Sequence, residues 1–164
     1  MIQMSEKKKS RHFTVVVRRE FPMSAEDTYS AWTNPEIRRS VLADGRYKNG
    51  VKEVSISEGG VERYEDRWKN RLYGTTTRRY VILLPAKMIV AQSETSVEGD
   101  MFDQHFVRQE LLLFKSKGAS CEIVASDQCI SIEPFFVHAA EDSLNEIFNT
   151  FADKLEANIK NAAV

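Results

Sequence analysis

The last quarter of the chain constrains the fold more than any other segment. Residues 137–161 contain neither glycine nor proline, and apolar side chains recur there at steps of three and four. This spacing predicts an amphipathic helix of roughly 24 residues, about 36 Å long, with one continuous apolar stripe. The stripe consists of Leu144, Ile147, Phe148, Phe151, Leu155 and Ile159. A helix of this length needs an apolar surface of similar extent to cover it.

The middle of the chain supplies that surface. Residues 51–57 and 61–70 are rich in strand-forming side chains and flank Glu58-Gly-Gly60, which predicts a hairpin turn. Because the connections are short, consecutive strands are expected to pair antiparallel. Further strands are predicted over 73–84, 87–97, 104–114 and 119–132.

The beginning of the chain adds one strand and two short helices. Residues 12–20 are β-branched and predict the first strand. Ser24, with Asp27 three residues later, predicts the start of a helix. Asn34-Pro35 predicts the end of that helix and the start of a second one, which stops near Asp44-Gly45.

This order of elements predicts a single α+β domain over residues 12–164. A seven-stranded antiparallel sheet would curve around the terminal helix, and the mismatch of the two surfaces would leave a cavity between them. Residues 1–11 contain Lys7-Lys8-Lys9 and are expected to form a mobile tail.

Three short patches resemble a known superfamily. Ala31-Trp-Thr-Asn-Pro-Glu36, Pro85-Ala-Lys-Met-Ile-Val90 and residues 144–155 are similar to signatures of the START-related, SRPBCC superfamily with its helix-grip fold. The nearest resemblance is to its branch of heat-shock-protein-90 ATPase activator homologues, which is also described as polyketide-cyclase-like. The family's Gly-Trp pair is replaced here by Ser143-Leu144. The resemblance implies binding or processing of apolar small molecules, or a role as a chaperone partner.

The net charge and the two cysteines limit the classes of binding partner and the cellular compartment expected for this protein. The formal net charge is −1, which gives no overall attraction to nucleic acid or to anionic membranes. Cys121 and Cys129 fall on one predicted strand, too far apart to form a disulfide. Two free thiols and the absence of a secretory signal pattern predict a cytoplasmic protein.

The sequence offers no recognisable catalytic constellation. His12, His105 and His138 lie far apart and lack the spacing of metal ligands, so neither a metal nor a cofactor is expected. No strand-to-helix serine elbow is present either. The pattern therefore favours a binding protein over an enzyme, and no catalytic residue is assigned.

The charged segment around residue 66 is the strongest candidate for a polar group inside the cavity. Strand alternation places Tyr64, Asp66 and Trp68 on one face, which is expected to point inward. An inward Asp66 must be paired or have a raised pKa, and Arg79 on the next strand could pair with it. A structural buried ion pair or a salt bridge at the rim is the alternative. The full set of expected cavity residues is Tyr64, Asp66, Trp68, Arg79, Val81, His105, Phe148 and Phe151.

These observations predict a protein that binds an apolar or amphipathic small molecule between the sheet and the terminal helix. Two alternatives remain open: a cyclase or dehydratase that uses Asp66, His105 or Glu110 as acid or base, and an interaction protein that assists a chaperone ATPase. The segment Leu111–Phe114 is apolar on both faces, as is the stretch containing Tyr80, Ile82 and Leu84. A homodimer would cover these outer side chains.

Overall fold

The computed structural model describes residues 11–44, 49–68, 71–97, 104–131 and 135–162. They form one seven-stranded antiparallel sheet, two short helices and a long C-terminal helix, which confirms the predicted α+β class. In chain order the elements are β1 (Arg11–Phe21), α1 (Ala25–Trp32), α2 (Pro35–Asp44), β2 (Gly50–Val54), β3 (Val61–Trp68), β4 (Arg71–Leu84), β5 (Met88–Val97), β6 (Gln104–Lys117), β7 (Ser120–Ser131) and α3 (Phe135–Ala162).

The sheet order follows directly from the short connections. Strands β2 to β7 pair with their neighbours in sequence, and β1 pairs with β7, so the order is β1-β7-β6-β5-β4-β3-β2. Strands β1 and β2 therefore lie at opposite edges, and α1 and α2 carry the chain between them. The predicted turn at residues 58–60 is present, and Gly59 adopts a positive φ of 77° there. Strand β2 ends earlier than predicted, at Val54.

The two short helices begin where the sequence predicts. The hydroxyl of Ser24 accepts a hydrogen bond from the backbone N–H of Asp27 at 3.1 Å. The side-chain oxygen of Asn34 accepts from the N–H groups of Glu36 and Ile37 at 2.9 and 3.1 Å. These caps satisfy N–H groups that the helices themselves leave free.

The apolar stripe of α3 forms the centre of the core. Phe148 and Phe151 are each only 1% exposed. The ring of Phe151 lies edge-on to Trp32 of α1, with centroids 4.8 Å apart, and to Phe21 of β1, at 5.2 Å. Aromatic rings from three elements thus interlock at one point, and α3 is held against both the sheet and α1.

Both cysteines are buried and free, as the sequence predicts. They lie on the inward face of β7 together with Ile123, Ala125 and Asp127, all of which are buried. Small side chains on this face leave room beside the helix.

The predicted inward face of β4 is wrong for Arg79 and Val81. The pairing of β4 with β5 shifts register between Tyr80 and Ile82, which marks a β-bulge at Val81. Before the bulge Arg78 and Tyr80 face inward and Arg79 is exposed; Val81 itself is 48% exposed. The extra residue resets the alternation, so that Leu83 packs against the core again.

The outer face of the sheet carries several exposed apolar side chains. Ile82 and Leu84 near the end of β4 and Val107 on β6 are exposed, whereas Leu111 and Leu113 are half-buried. A homodimer that covers this face stays a prediction. No helix among the described residues is long and apolar enough to cross a membrane, and the predicted tail at residues 1–11 lies almost wholly outside the described residues.

A buried ion pair fastens α2 to the sheet. Arg38 of α2 donates from Nε to Glu62 Oε1 of β3 at 2.8 Å, and from NH2 to Oε2 at 3.3 Å. Glu62 also accepts from Arg78 NH1 at 2.8 Å and from the hydroxyl of Tyr80 at 2.5 Å. The Glu62 side chain has no exposed surface. Because both of its oxygens accept hydrogen bonds from cationic groups, this carboxylate can stay ionised inside the core.

The surrounding charges decide the protonation of Glu62. Burial alone would raise its pKa, but the guanidinium groups of Arg38 and Arg78 and their hydrogen bonds lower the pKa to about 2. The same burial, together with the negative charge of Glu62, raises the pKa of Tyr80.

We predict that Phe151→Ala lowers the free energy of unfolding by about 3–5 kcal/mol, because it removes the ring shared by α3, β1 and α1. Urea unfolding followed by circular dichroism measures the change. Glu156→Ala, on the exposed side of the same helix, is the control and should change stability by less than about 0.5 kcal/mol. A loss below about 1 kcal/mol for Phe151→Ala would contradict the packing described.

We predict that Glu62→Gln costs about 3–5 kcal/mol of stability, because two buried guanidinium groups lose the carboxylate that compensates them. Glu53→Gln is the matched control, since Glu53 pairs with Arg63 at 2.5 Å on the exposed edge of the sheet. Exposed pairs contribute about 0–1 kcal/mol, so the control should remain close to wild type. Equal losses of stability in the two variants would mean that the buried ion pairs of Glu62 stabilise the protein no more than an exposed pair does.

The free energy of unfolding at acid pH should also depend on Glu62. Its pKa is lowered on folding, from 4.5 to about 2, so its contribution is present above pH 4.5 and is lost as the pH falls toward 2. The stability difference between wild type and Glu62→Gln should therefore shrink over this interval. Urea unfolding at a series of pH values measures it, and a difference that stays constant would show that folding does not lower the pKa of Glu62.

Candidate functional site

A pocket lies between α3 and the inward face of the sheet. Its cavity volume, measured as the space that the centre of a water molecule can reach, is about 20 Å³. That is room for one or two water molecules. The walls combine apolar side chains from α1, α3 and four strands with charged groups; the main lining residues are Trp32, Arg38, Arg78, Tyr80, Ile89, Ala91, Glu110, Leu112, Ala125, Asp127, Leu144 and Ile147.

The charged side of the pocket continues the ion pair that fastens α2. Arg78 bridges two carboxylates, since its NH1 contacts Glu62 and its Nε lies 2.6 Å from Oε2 of Glu110. The other oxygen of Glu110 accepts from the hydroxyl of Ser93 at 2.6 Å. Burial opposes ionisation of Glu110, but Arg78 and Arg108 lower its pKa. Glu110 is therefore an ionised, fully engaged carboxylate.

The row of charges ends at Asp127 on β7. NH1 of Arg108 donates to Oδ2 of Asp127 at 3.2 Å. Burial, reinforced by the nearby charge of Glu110, raises the pKa of Asp127 to about 6 even though Arg108 and Arg78 lower it. Of the carboxylates that line the pocket, Asp127 is thus the one whose protonation changes near neutral pH.

A second polar group lies beside this row. Asp66 of β3 accepts a hydrogen bond from the hydroxyl of Thr76, which is also 2.8 Å from the hydroxyl of Thr95. Burial raises the pKa of Asp66, whereas Thr76, Arg108 and Arg78 lower it. Burial likewise raises the pKa of Tyr64 to about 12. The predicted inward orientation of Tyr64 and Asp66 is therefore found, but the partner of Asp66 is Thr76 and not Arg79.

The structure separates the predicted cavity residues into three groups. Tyr64, Asp66, Phe148 and Phe151 face the interior without lining the pocket. Arg79, just before the bulge, and Val81, within it, both point outward. Arg79 donates to the carbonyl of Gly59 at 3.1 Å. The side chains of Trp68 and His105 lie outside the described residues.

Three charged residues of the pocket lining were missed: Arg38, Arg78 and Asp127. Glu110 was considered only as an acid or base of an enzyme. For Asp127 a signal existed, because it alternates with Ile123 and Ala125 on a strand whose inward face was recognisable. Arg38 follows Ile37 on a short helix, and its aliphatic stem and its stacking on Trp32, 5.1 Å from the ring centroid, explain how a charged residue is buried there.

The nucleophilic side chains beside the pocket are hydrogen-bonded or buried. Within the described part of the chain, no group of three or more His, Cys, Asp or Glu side chains could hold a metal ion. Ser93 is engaged with Glu110, and the pKa values of the buried thiols of Cys121 and Cys129 are raised, mainly by burial. Protonated thiols are poor nucleophiles.

Comparisons with known proteins address the fold. No family model and no curated protein matches the sequence. Among solved structures, a protein from Rhizobium leguminosarum is 19% identical with a TM-score of 0.72 and covers 91% of this chain and 97% of its own. The Mll3558 protein from Rhizobium loti is 13% identical with a TM-score of 0.75, covering 88% of this chain and 98% of its own.

A plant enzyme shares the same architecture. Norcoclaurine synthase from Thalictrum flavum, solved in complex with dopamine and hydroxybenzaldehyde, is 14% identical with a TM-score of 0.64 and covers 90% of this chain and 88% of its own. At such identities the likeness concerns the fold. The chain therefore has the helix-grip architecture predicted from its sequence.

Proposed function

We propose that this protein binds a small, mainly apolar molecule in the pocket between α3 and the sheet. The observation that carries the proposal is the composition of the pocket: Trp32, Ile89, Leu112, Leu144 and Ile147 form an apolar wall, and a few charged groups converge at one side. Ligand sites combine an apolar lining with a small number of placed polar groups in this way. The helix-grip neighbour that was solved with dopamine and hydroxybenzaldehyde, two one-ring molecules, supports a ligand of similar size.

The free space sets the size of the ligand. The interior has room for only one or two water molecules, so even a one-ring ligand must also use the mouth of the pocket. Leu144 and Ile147 of α3 are half-buried members of the lining. We infer that these two side chains move outward on binding, and that long fatty acids and sterols bind less well than one-ring molecules.

Trp32 makes this proposal testable, because its ring belongs to the wall. In a Trp68→Phe background, tryptophan emission reports on Trp32 alone. We expect toluene and methylcyclohexane to change this emission saturably, and a sterol and a long fatty acid to have weaker effects. Ala91→Leu should abolish the change, because Ala91 is 2% exposed within the lining and a larger side chain would fill the pocket.

Ala157→Leu is the matched control, since Ala157 is exposed on α3 and absent from the lining. It should bind like wild type. Circular dichroism and thermal unfolding establish that the Ala91→Leu protein is folded. Saturable binding that is equal in the two variants would place the ligand elsewhere, and the absence of binding across the whole panel would refute the proposal.

A second candidate is an interaction role like that of the heat-shock-protein-90 ATPase activators, which the sequence patches resemble. The observation that favours it is the exposed apolar end of β4, where the bulge turns both Val81 and Ile82 outward and Leu84 is also exposed. Exposed apolar clusters on a sheet suit protein partners. This candidate takes first place if the ligand panel fails. A cytoplasmic location, proposed from the two free thiols, suits both candidates.

A further inference from the structure

Four buried polar atoms lack a hydrogen-bond partner among the described residues, and three have an explanation. Arg38 NH1 belongs to a guanidinium that stacks on Trp32, and Arg78 Nε lies 2.6 Å from a Glu110 oxygen in ion-pair contact. Arg67 Nε belongs to a guanidinium that is 41% exposed and paired with Glu65. The fourth atom, Oδ1 of Asp127, has no such compensation.

Asp127 belongs to the lining of the pocket, and its Oδ1 is a buried atom of that wall. Its side chain is 2% exposed and lines the pocket, and Arg108 engages its other oxygen, Oδ2, at 3.2 Å. Ala125, the preceding inward residue of β7, lines the pocket too and leaves space beside it. A buried carboxylate oxygen without a partner is costly, so a group that donates a hydrogen bond to it from the pocket gains affinity.

The charges around Asp127 restrict which ligand group can donate a hydrogen bond to it. The ion-pair row contains three guanidinium groups, from Arg38, Arg78 and Arg108, and three carboxylates, from Glu62, Glu110 and Asp127. Asp66 lies beside the row, but it accepts from Thr76 instead of forming an ion pair, and burial raises its pKa. A charged ligand would add an uncompensated buried charge to a balanced row. An ionised carboxylate can only accept hydrogen bonds, so the ligand must supply the donor.

We propose that Oδ1 of Asp127 is the hydrogen-bond acceptor of the pocket and that the ligand is a neutral, mainly apolar molecule bearing a hydroxyl group. This inference rests on the proposed function and specifies its ligand class. Asp127 is then the residue that selects the ligand, while the apolar wall supplies most of the contact area.

The preference of Asp127 for ligands that carry a hydroxyl group should depend on pH. The charged and titratable groups that act on Asp127 are Arg108 and Glu110 of β6 and Arg78 of β4; its paired neighbour on β1, Val15, and the α3 residues of the lining are apolar. The pKa of Asp127 is raised to about 6. Above that pH Oδ1 accepts from a hydroxyl group, whereas below it the protonated carboxyl can donate, and the preference for a donor weakens.

Fluorinated one-ring probes test the inference by ¹⁹F NMR titration. At neutral pH we expect 4-fluorophenol to bind about tenfold more tightly than 4-fluorotoluene, which has the same size but no donor. We expect it also to bind more tightly than 4-fluoroanisole, which can only accept, and than the charged probes 4-fluorobenzoate and 4-fluorobenzylammonium. The advantage of 4-fluorophenol over 4-fluoroanisole should fall as the pH is lowered through 6.

Asp127→Asn provides the decisive variant. Its carbonyl can accept from Arg108, which turns the amide N–H₂ toward the pocket and replaces an acceptor by a donor. The phenol-to-anisole preference should then approach unity and lose its pH dependence. Asp153→Asn, the same change at an exposed position on α3, should behave like wild type. If Asp127→Asn does not fold, the pH titration of the wild type decides.

The outcomes separate this inference from the proposed function. Equal binding of 4-fluorophenol and 4-fluorotoluene, with loss of both in Ala91→Leu, would overturn the role of Asp127 and leave the apolar pocket standing. Tightest binding by a charged probe would overturn the requirement for a neutral ligand. Failure of every probe to bind would refute both the pocket and the role of Asp127.

Discussion

The fold depends on one carboxylate that is ionised inside the core. Glu62 has no exposed surface and is held by Arg38 from α2 and Arg78 from β4. Any one of these groups would be too costly to bury alone, but together they satisfy one another. Because Arg38 comes from the crossover between the two edges of the sheet, the pair also fixes where α2 lies. The ion pair that holds α2 against the sheet thus also supplies the first charged groups beside the pocket.

From that point the charges continue across the sheet in a definite order. Arg78 links Glu62 to Glu110, and Arg108 links Glu110 to Asp127. The Glu62 end is saturated by four hydrogen bonds, whereas the Asp127 end keeps one oxygen without a partner among the described residues. The row is therefore saturated at the Glu62 end and unsaturated at Asp127, a residue of the pocket lining.

Sequence periodicity predicted the elements well and the site only in part. The apolar stripe of α3 and the caps at Ser24 and Asn34 depend on local patterns, and they were predicted correctly. Alternation also placed Tyr64 and Asp66 inward, because the register shifts beside this part of β3 add their extra residue to β2 and to β4 and not to β3 itself. It failed at Arg79, because the inward face of β4 was inferred from Leu83. The extra residue at Val81 lies between Leu83 and Arg79 and reverses the inward–outward alternation. Ion-pair partners distant in sequence, such as Arg38 and Glu62, leave no periodic signal at all.

The small free space in the pocket follows from the same packing that makes the core stable. Trp32, Phe148 and Phe151 interlock with centroid distances of 4.8 and 5.6 Å from the indole, and they fill the depth between helix and sheet. The space that remains is lined by small side chains such as Ala91 and Ala125, by Leu144 and Ile147, and by charged groups. Apolar and charged side chains therefore share one lining, with the ring of Trp32 in its wall. A ligand in this pocket therefore meets both kinds of surface at once, and neither an apolar chain nor a charged group alone satisfies them.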